Sequence, residues 1–212
     1  MVEKSMGQTI SYGLFGHIRE ALPAYILLAA VLLGGIIIGV VAPTALPQAQ
    51  VGEVQNFAAT LINQVPTANI NGWQEAFNCL LFNGGMLLLI WVFGVSVVGG
   101  FLSVPVLFYK GFTLGFSISI LLSQSLSKGF VLVLLTILPQ NLLLIPIFIF
   151  SVYQAVIFSR DRLWRQQNSE LFITVLGKYS QSFLLVAIIL LLASLVQGWV
   201  APLFLQMFLA VI

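Results

Sequence analysis

"PAYILLAAVLLGGIIIGVVAP", Pro23 to Pro43, carries no charged residue from one end to the other. A helix rises about 1.5 Å per residue, and about 20 apolar residues cross the roughly 30 Å hydrocarbon core of a bilayer. The stretch is therefore long enough to span a membrane. It is too long for the apolar core of a signal peptide, lacks a convincing small-residue cleavage site and is followed by further apolar runs, so it is expected to stay in the mature protein.

The rest of the chain agrees. Of 212 residues, 60% are hydrophobic and 7% charged, whereas an ordinary soluble domain carries about 25% charged residues. A soluble core of this size could not hide so much apolar surface. A net charge of +2, spread thinly, leaves no footprint for nucleic acid. The single Cys79 lies in an apolar segment, cannot form an intramolecular disulfide and reads as packing.

Five spans are expected, at about 23–43, 76–98, 104–123 after the Gly99-Gly100 break, 130–158 and 182–204. The fold class is an all-α integral membrane protein of five transmembrane helices, a single polytopic domain over 1–212 with no soluble domain and no internal repeat. Lys and Arg collect on the cytoplasmic side of membrane proteins. The connection 44–74 has none, while the connection after span four holds Arg160, Arg162, Arg165 and Lys178, and the N-terminal segment holds Lys4 and Arg19. The N-terminus is thus expected inside, the C-terminus outside, and 44–74 as the main external loop, with Lys128 the one basic residue in an external turn. Within 1–22, Ile10, Leu14, Phe15, Ile18 and Leu22 recur at helical spacing. Either an interfacial helix in the cytoplasmic headgroup layer or an extension of span one fits this pattern.

Catalytic groups are scarce. Zinc proteolysis needs two His and a Glu at helical spacing, and His17 is the only His. The acids are Glu3, Glu20, Glu53, Glu75, Asp161 and Glu170, and no pair faces itself within a span. Ser96, Ser103, Ser117 and Ser119 have no spanning His, nor any intramembrane Lys beyond Lys110, to serve as base. "GFTLGF" lacks the Lys-Ser/Thr ending of a phosphate loop. The reading is a non-enzyme without metal or cofactor.

Two stretches stand out. In "KGFTLGF", Gly111 and Gly115 form a small-residue stripe on which another helix can close. Lys110 is expected to snorkel towards the cytoplasmic headgroups. In "ILPQNLLLIPIF", Ile137 to Phe148, two prolines bracket a Gln-Asn pair. Pro139 removes an N–H and displaces the carbonyl near Leu135, Pro146 repeats this two turns later, and a kink at Pro139 is expected. Freed backbone groups in a bilayer need internal partners, which Gln140 and Asn141 are placed to supply. The plainer account is a kinked span whose amides bond to neighbouring helices. The sharper one is a polar hollow at mid-membrane that engages a substrate or a partner helix.

The order "GIIIGVVAP" (Gly35 to Pro43), Asn83 early in span two, "KGFTLGF" (Lys110 to Phe116), "KGFVLVLLTILPQNLLLIP" (Lys128 to Pro146) and "LLASLVQGWVAP" (Leu191 to Pro202) resembles the stage II sporulation protein M family, from about Tyr25 to Pro202. In the wider group of membrane proteins that share this domain, the proline motif tends to read Pro-His-Gly with a Glu before the second proline, and span five tends to carry a Glu. Here Gln140, Asn141, Leu144 and Gln197 stand in those places, which fits a member kept for structure and assembly.

The resemblance implies a role in endospore formation. The protein would sit in the mother-cell and septal membrane and anchor two membrane-anchored peptidoglycan-degrading partners, the stage II sporulation proteins D and P, which do the cutting. Beyond the bilayer and these partners, a homo-oligomer stays open. Candidate structural or partner-binding residues are Asn83, Lys110, Gly111, Gly115, Pro139, Gln140, Asn141, Pro146 and Gln197. The alternative is a transporter or permease-like subunit, since broken spans with polar residues build midplane sites. The absence of intramembrane acids and of repeat symmetry counts against it.

Overall fold

Helix α1 (Glu3–Ala45) runs without a break through the N-terminal segment and the first span. The computed structural model describes residues 3–64, 71–96, 99–124, 126–164, 169–200 and 203. The amphipathic face expected within 1–22 rests on side chains of which all but Leu22 lie outside the described residues. The backbone of 3–22 is continuous with span one.

The connection read as a loop at 44–74 contains a helix, α2 (Gln48–Gln64). It begins just after Pro47, whose carbonyl accepts from Gln50 and Val51 N–H at 3.0 and 3.2 Å. Helix α3 (Gly72–Val95) starts at an Asn71 cap, whose side chain accepts from Trp73 N–H. A 3₁₀ turn (Gly99–Leu102) leads into α4 (Ser103–Gln124). The fourth span is composite: α5 (Leu126–Leu132), a π turn (Val133–Ile137) and α6 (Leu138–Trp164). Helix α7 (Ser169–Leu195) ends in a second π turn (Val196–Val200). Among the described residues there is no strand.

Five of these segments are long and apolar enough to cross a membrane: Ala21–Ala45, Gly72–Val95, Gly99–Ser123, Gly129–Arg160 and Leu176–Val200. The third begins five positions earlier than the sequence suggested, because the Gly99-Gly100 turn is already part of the helical rod. The irregularity expected at Pro139 is a π turn directly ahead of it, where Leu138 N–H reaches back to Val133 O. Prolines and π turns are the usual origins of a helix bend.

Packing follows from the small residues. Helix α1 lies on α4 so closely that a Cβ on Gly35 or Gly39 would strike the Phe108 or Phe112 carbonyl, and a Cβ on Gly111 or Gly115 the Leu32 or Ile36 carbonyl. Two Gly-x-x-x-Gly stripes therefore face one another, backbone to backbone. Helix α6 touches α1, α3, α4 and α7 and is the centre of the bundle. Its Leu144, Phe148, Val152 and Ala155 are fully buried with Ile90 of α3, Leu107 of α4 and Ala193 of α7. Outside, Ile26, Leu27, Leu88, Leu142, Leu184 and Leu185 are largely exposed. Such a surface is a liability in water and a match for lipid chains.

The turn between α3 and α4 is closed by side chains from distant helices. Ser159 Oγ accepts from Gly100 N–H at 3.3 Å and donates to Ser96 O at 3.1 Å. Tyr179 donates to Trp91 O at 3.2 Å while its ring stacks on Phe158. These bonds supply partners for backbone groups that leave the helix between the two spans. At the opposite end, Gly72 and Gly198 approach too closely to admit a Cβ on either, and Trp73 meets Trp199 edge-on. Helix α2 lies at this end, tied to α4 by a 3.0 Å bond from Gln55 Nε2 to Ser123 Oγ.

Candidate functional site

On α4, Leu107, Lys110 and Leu114 share one face at helical spacing, and all three are buried. That face looks into the bundle. Lys110 is 4% exposed, and its ammonium donates to Asn83 Oδ1 of α3 at 2.7 Å and lies 5.4 Å from the centre of the Phe148 ring. The expected snorkelling does not occur. The span starts at Gly99, so Lys110 lies roughly 16 Å along it, too deep for its side chain to reach the headgroups. Asn83 and an aromatic face satisfy it where it stands.

Asn83 is fixed in turn. Its Nδ2 donates to Cys79 O at 3.0 Å, one turn back on α3, and meets Cys79 Sγ at 3.5 Å. Gln140 of α6 reaches across to the same sulfur at 2.7 Å. Asn141 Nδ2 donates to Ile137 O, the last residue of the π turn, at 2.8 Å. Of the two amides expected to replace partners lost at Pro139, one serves its own helix and the other bridges to α3.

These groups line a hollow of about 360 Å³ between α3, α4, the start of α6 and the end of α7. The two π turns each contribute to its wall: Thr136 and Ile137 from the first, Gln197 from the second. Glu75, in the first turn of α3, marks the end of the hollow nearest α2. Asn83 lies eight residues deeper, about 12 Å along the helix axis. Two carbonyl oxygens of the lining, Asn141 Oδ1 and Gln197 Oε1, are buried and meet no donor among the described residues.

The structure thus brings Asn83, Lys110, Gln140, Asn141 and Gln197 together and leaves the other sequence candidates elsewhere. Gly111 and Gly115 belong to the α1 contact. Pro139 is half-buried beside the hollow, and Pro146 is exposed on the outside of α6. Sequence reasoning missed Cys79, Thr113 and Thr136 as lining residues. Thr113 is three residues after Lys110 and Cys79 four before Asn83, so helical spacing from either polar residue would have found them. Among the described residues, no group of His, Cys, Asp and Glu could hold a metal ion.

The family model for stage II sporulation protein M matches residues 28–202. The chain belongs to the stage II sporulation protein M family. Its members are sporulation-related membrane proteins, and the matched region takes in four of the five spans whole and all but the start of the first. Neither the comparison with curated proteins nor that with solved structures gave a match.

Proposed function

We propose that this family member is a membrane anchor of the sporulation engulfment machinery, which recruits and localises membrane-anchored peptidoglycan-degrading enzymes, the stage II sporulation proteins D and P, at the septal and engulfing membrane. The match to the family across the five-span bundle carries this reading. In it, cell-wall cutting belongs to the partners, and the subunit itself is not an enzyme.

Helix α2 gives the anchor a surface outside the bilayer. With the N-terminus inside, as the Lys and Arg distribution argues, the α2 end of the bundle faces the wall. Glu53, Val54, Asn56 and Thr60 of α2 are exposed there, while Gln55 holds the helix against Ser123. A helix pinned at the bundle's outer end is a suitable contact for enzymes that work on the external side.

The test is co-purification from gently solubilised sporulating cells. The tagged protein should retain both wall-degrading partners, and substitution of the exposed α2 positions should reduce that retention at unchanged membrane level. Recovery of an intact, correctly inserted protein without either partner would refute the anchoring role.

A further inference from the structure

We infer that a cleft between the first turns of span one and the last turns of span four seats one anionic glycerophospholipid, with its phosphate on the Arg160 guanidinium and an acyl chain against Leu27, Leu28 and Val104. The inference rests on the shape and chemistry of that cleft and is independent of the anchoring role.

The cleft encloses about 590 Å³ between α1, α6 and the start of α4 with its leading 3₁₀ turn. Deeper in the bundle, facing glycines bring α1 against α4 backbone to backbone. Helix α1 meets α6 differently, through Tyr25 and Tyr153, whose rings stack with centroids 4.5 Å apart. Two rings between helices hold the backbones apart, and the space beside them is open. Leu28 in its wall is buried, while Leu27 and Phe101 on its rim are 65% and 55% exposed. An apolar recess open to the hydrocarbon is filled by an alkyl chain in preference to water.

The walls differ in chemistry as the parts of a phospholipid do. Arg160 is exposed and is the last residue of the fourth span, which puts its guanidinium at headgroup level. A guanidinium grips a phosphate through two parallel N–H bonds. On the same α6 wall, Gln154 and Tyr153 lie six and seven residues deeper, about 9 to 10 Å along the axis, and bring an amide and a phenol to the ester carbonyls. The α1 and α4 walls are apolar and suit the chain. The sign of the headgroup follows from its surroundings, since "SRDRLWR", Ser159 to Arg165, holds three arginines against one aspartate. The ammonium of a zwitterionic headgroup would meet that positive surplus, whereas a net negative headgroup would not. Basic pockets between spans are a recurrent seat for anionic lipid on the cytoplasmic side, to which the Lys and Arg distribution assigns this end.

The extent of the cleft argues against other occupants. Its lining lies within about 10 Å of one end of the three spans. That is too short a stretch to guide a transmembrane helix, yet long enough for a headgroup and the upper part of a chain. A free phosphate would use the guanidinium and leave the apolar walls without a partner.

The experiment reconstitutes the full-length protein into nanodiscs of equal phosphatidylglycerol and phosphatidylethanolamine, and lipid retained after release is counted by native mass spectrometry. One phosphatidylglycerol should be kept in preference to phosphatidylethanolamine. Arg160→Gln should lower that preference about tenfold, the scale of one lost hydrogen bond to a charged group. Lys178→Gln removes an exposed positive charge from the same connection but outside the cleft and should leave the preference unchanged. Ala24→Trp fills the cleft without altering charge and should abolish it. If Ala24→Trp does not insert, the contrast between Arg160→Gln and Lys178→Gln decides. In dodecyl maltoside, short-chain phosphatidylglycerol should raise Tm and glycerol 1-phosphate should not. Equal retention of the two lipids, equal losses from Arg160→Gln and Lys178→Gln, unchanged preference in folded Ala24→Trp protein, or an equal rise in Tm with glycerol 1-phosphate would each overturn the proposal, the last by making the ligand a free anion.

Discussion

The Lys110 ammonium donates a 2.7 Å hydrogen bond to Asn83 Oδ1, joining the middle of the third span to the middle of the second. Removing only the acceptor leaves a buried ammonium without its side-chain partner, and a buried donor left unsatisfied costs about 1–3 kcal/mol, more when it is charged. Asn83→Leu should therefore destabilise strongly, and Lys110→Met should restore much of the loss in the double variant. Unfolding in detergent of the wild type, both single variants and the double variant gives the coupling directly. Additive effects would mean that the bond contributes nothing to the fold.

A second expectation concerns neighbours in sequence with opposite surroundings. A Cβ on Gly34 meets nothing within 4 Å, whereas one on Gly35 would collide with the Phe108 carbonyl of α4. Gly34→Ala should be neutral or stabilising by up to about 1 kcal/mol, since Ala is the better helix former. Gly35→Ala and Gly115→Ala should destabilise by about 1–3 kcal/mol through overpacking. Melting temperatures of the three variants, measured in one detergent, decide it. Equal effects at 34 and 35 would contradict the close approach of α1 and α4.

The fold was legible because the bilayer fixes span length and forbids unsatisfied backbone, so charge-free runs of the right length betray each helix. The Gly111 and Gly115 stripe was legible for a similar reason, since few residues permit close contact between helices. The Gly35 and Gly39 half of that contact was visible in "GIIIG" but was not paired with it, because sequence alone does not say which two helices meet. Lys110 was misread through the boundary of its span: a helix starting at 104 places it within reach of headgroups, one starting at Gly99 does not. The hollow itself joins residues from four segments far apart in the chain. The identity of each polar residue was available, but which faces turn towards one another depends on packing around α6.

Topology is open to direct measurement. Cys79 is buried and should stay silent to an impermeant thiol reagent. On intact cells, Glu53→Cys, at an exposed position of α2, should label, and Gln167→Cys should label only after the membrane is opened. This follows from the Lys and Arg asymmetry between 44–74 and 159–179. The reverse pattern would invert the bundle and place α2 in the cytoplasm.

The Gln140-Asn141 pair separates two roles by the sign of a stability change. If Asn141 serves only to support the helix beside Pro139, Asn141→Leu forfeits its bond to Ile137 O and should cost about 0.5–1.5 kcal/mol. The same change also removes a buried oxygen that meets no donor, and relief of such an orphan is worth about 1–3 kcal/mol. The second figure exceeds the first. Asn141→Leu is therefore expected to hold or gain thermal stability in detergent, while its ability to complement engulfment in sporulating cells falls at normal membrane level. Gln140→Leu, which breaks the contact with Cys79 Sγ and relieves no orphan, should instead lower stability slightly, with function following the amount of folded protein. Parallel loss of stability and function in Asn141→Leu would assign the residue to the internal bonding of its helix. Gain of one with loss of the other marks a polar group retained at an energetic cost because the hollow is used.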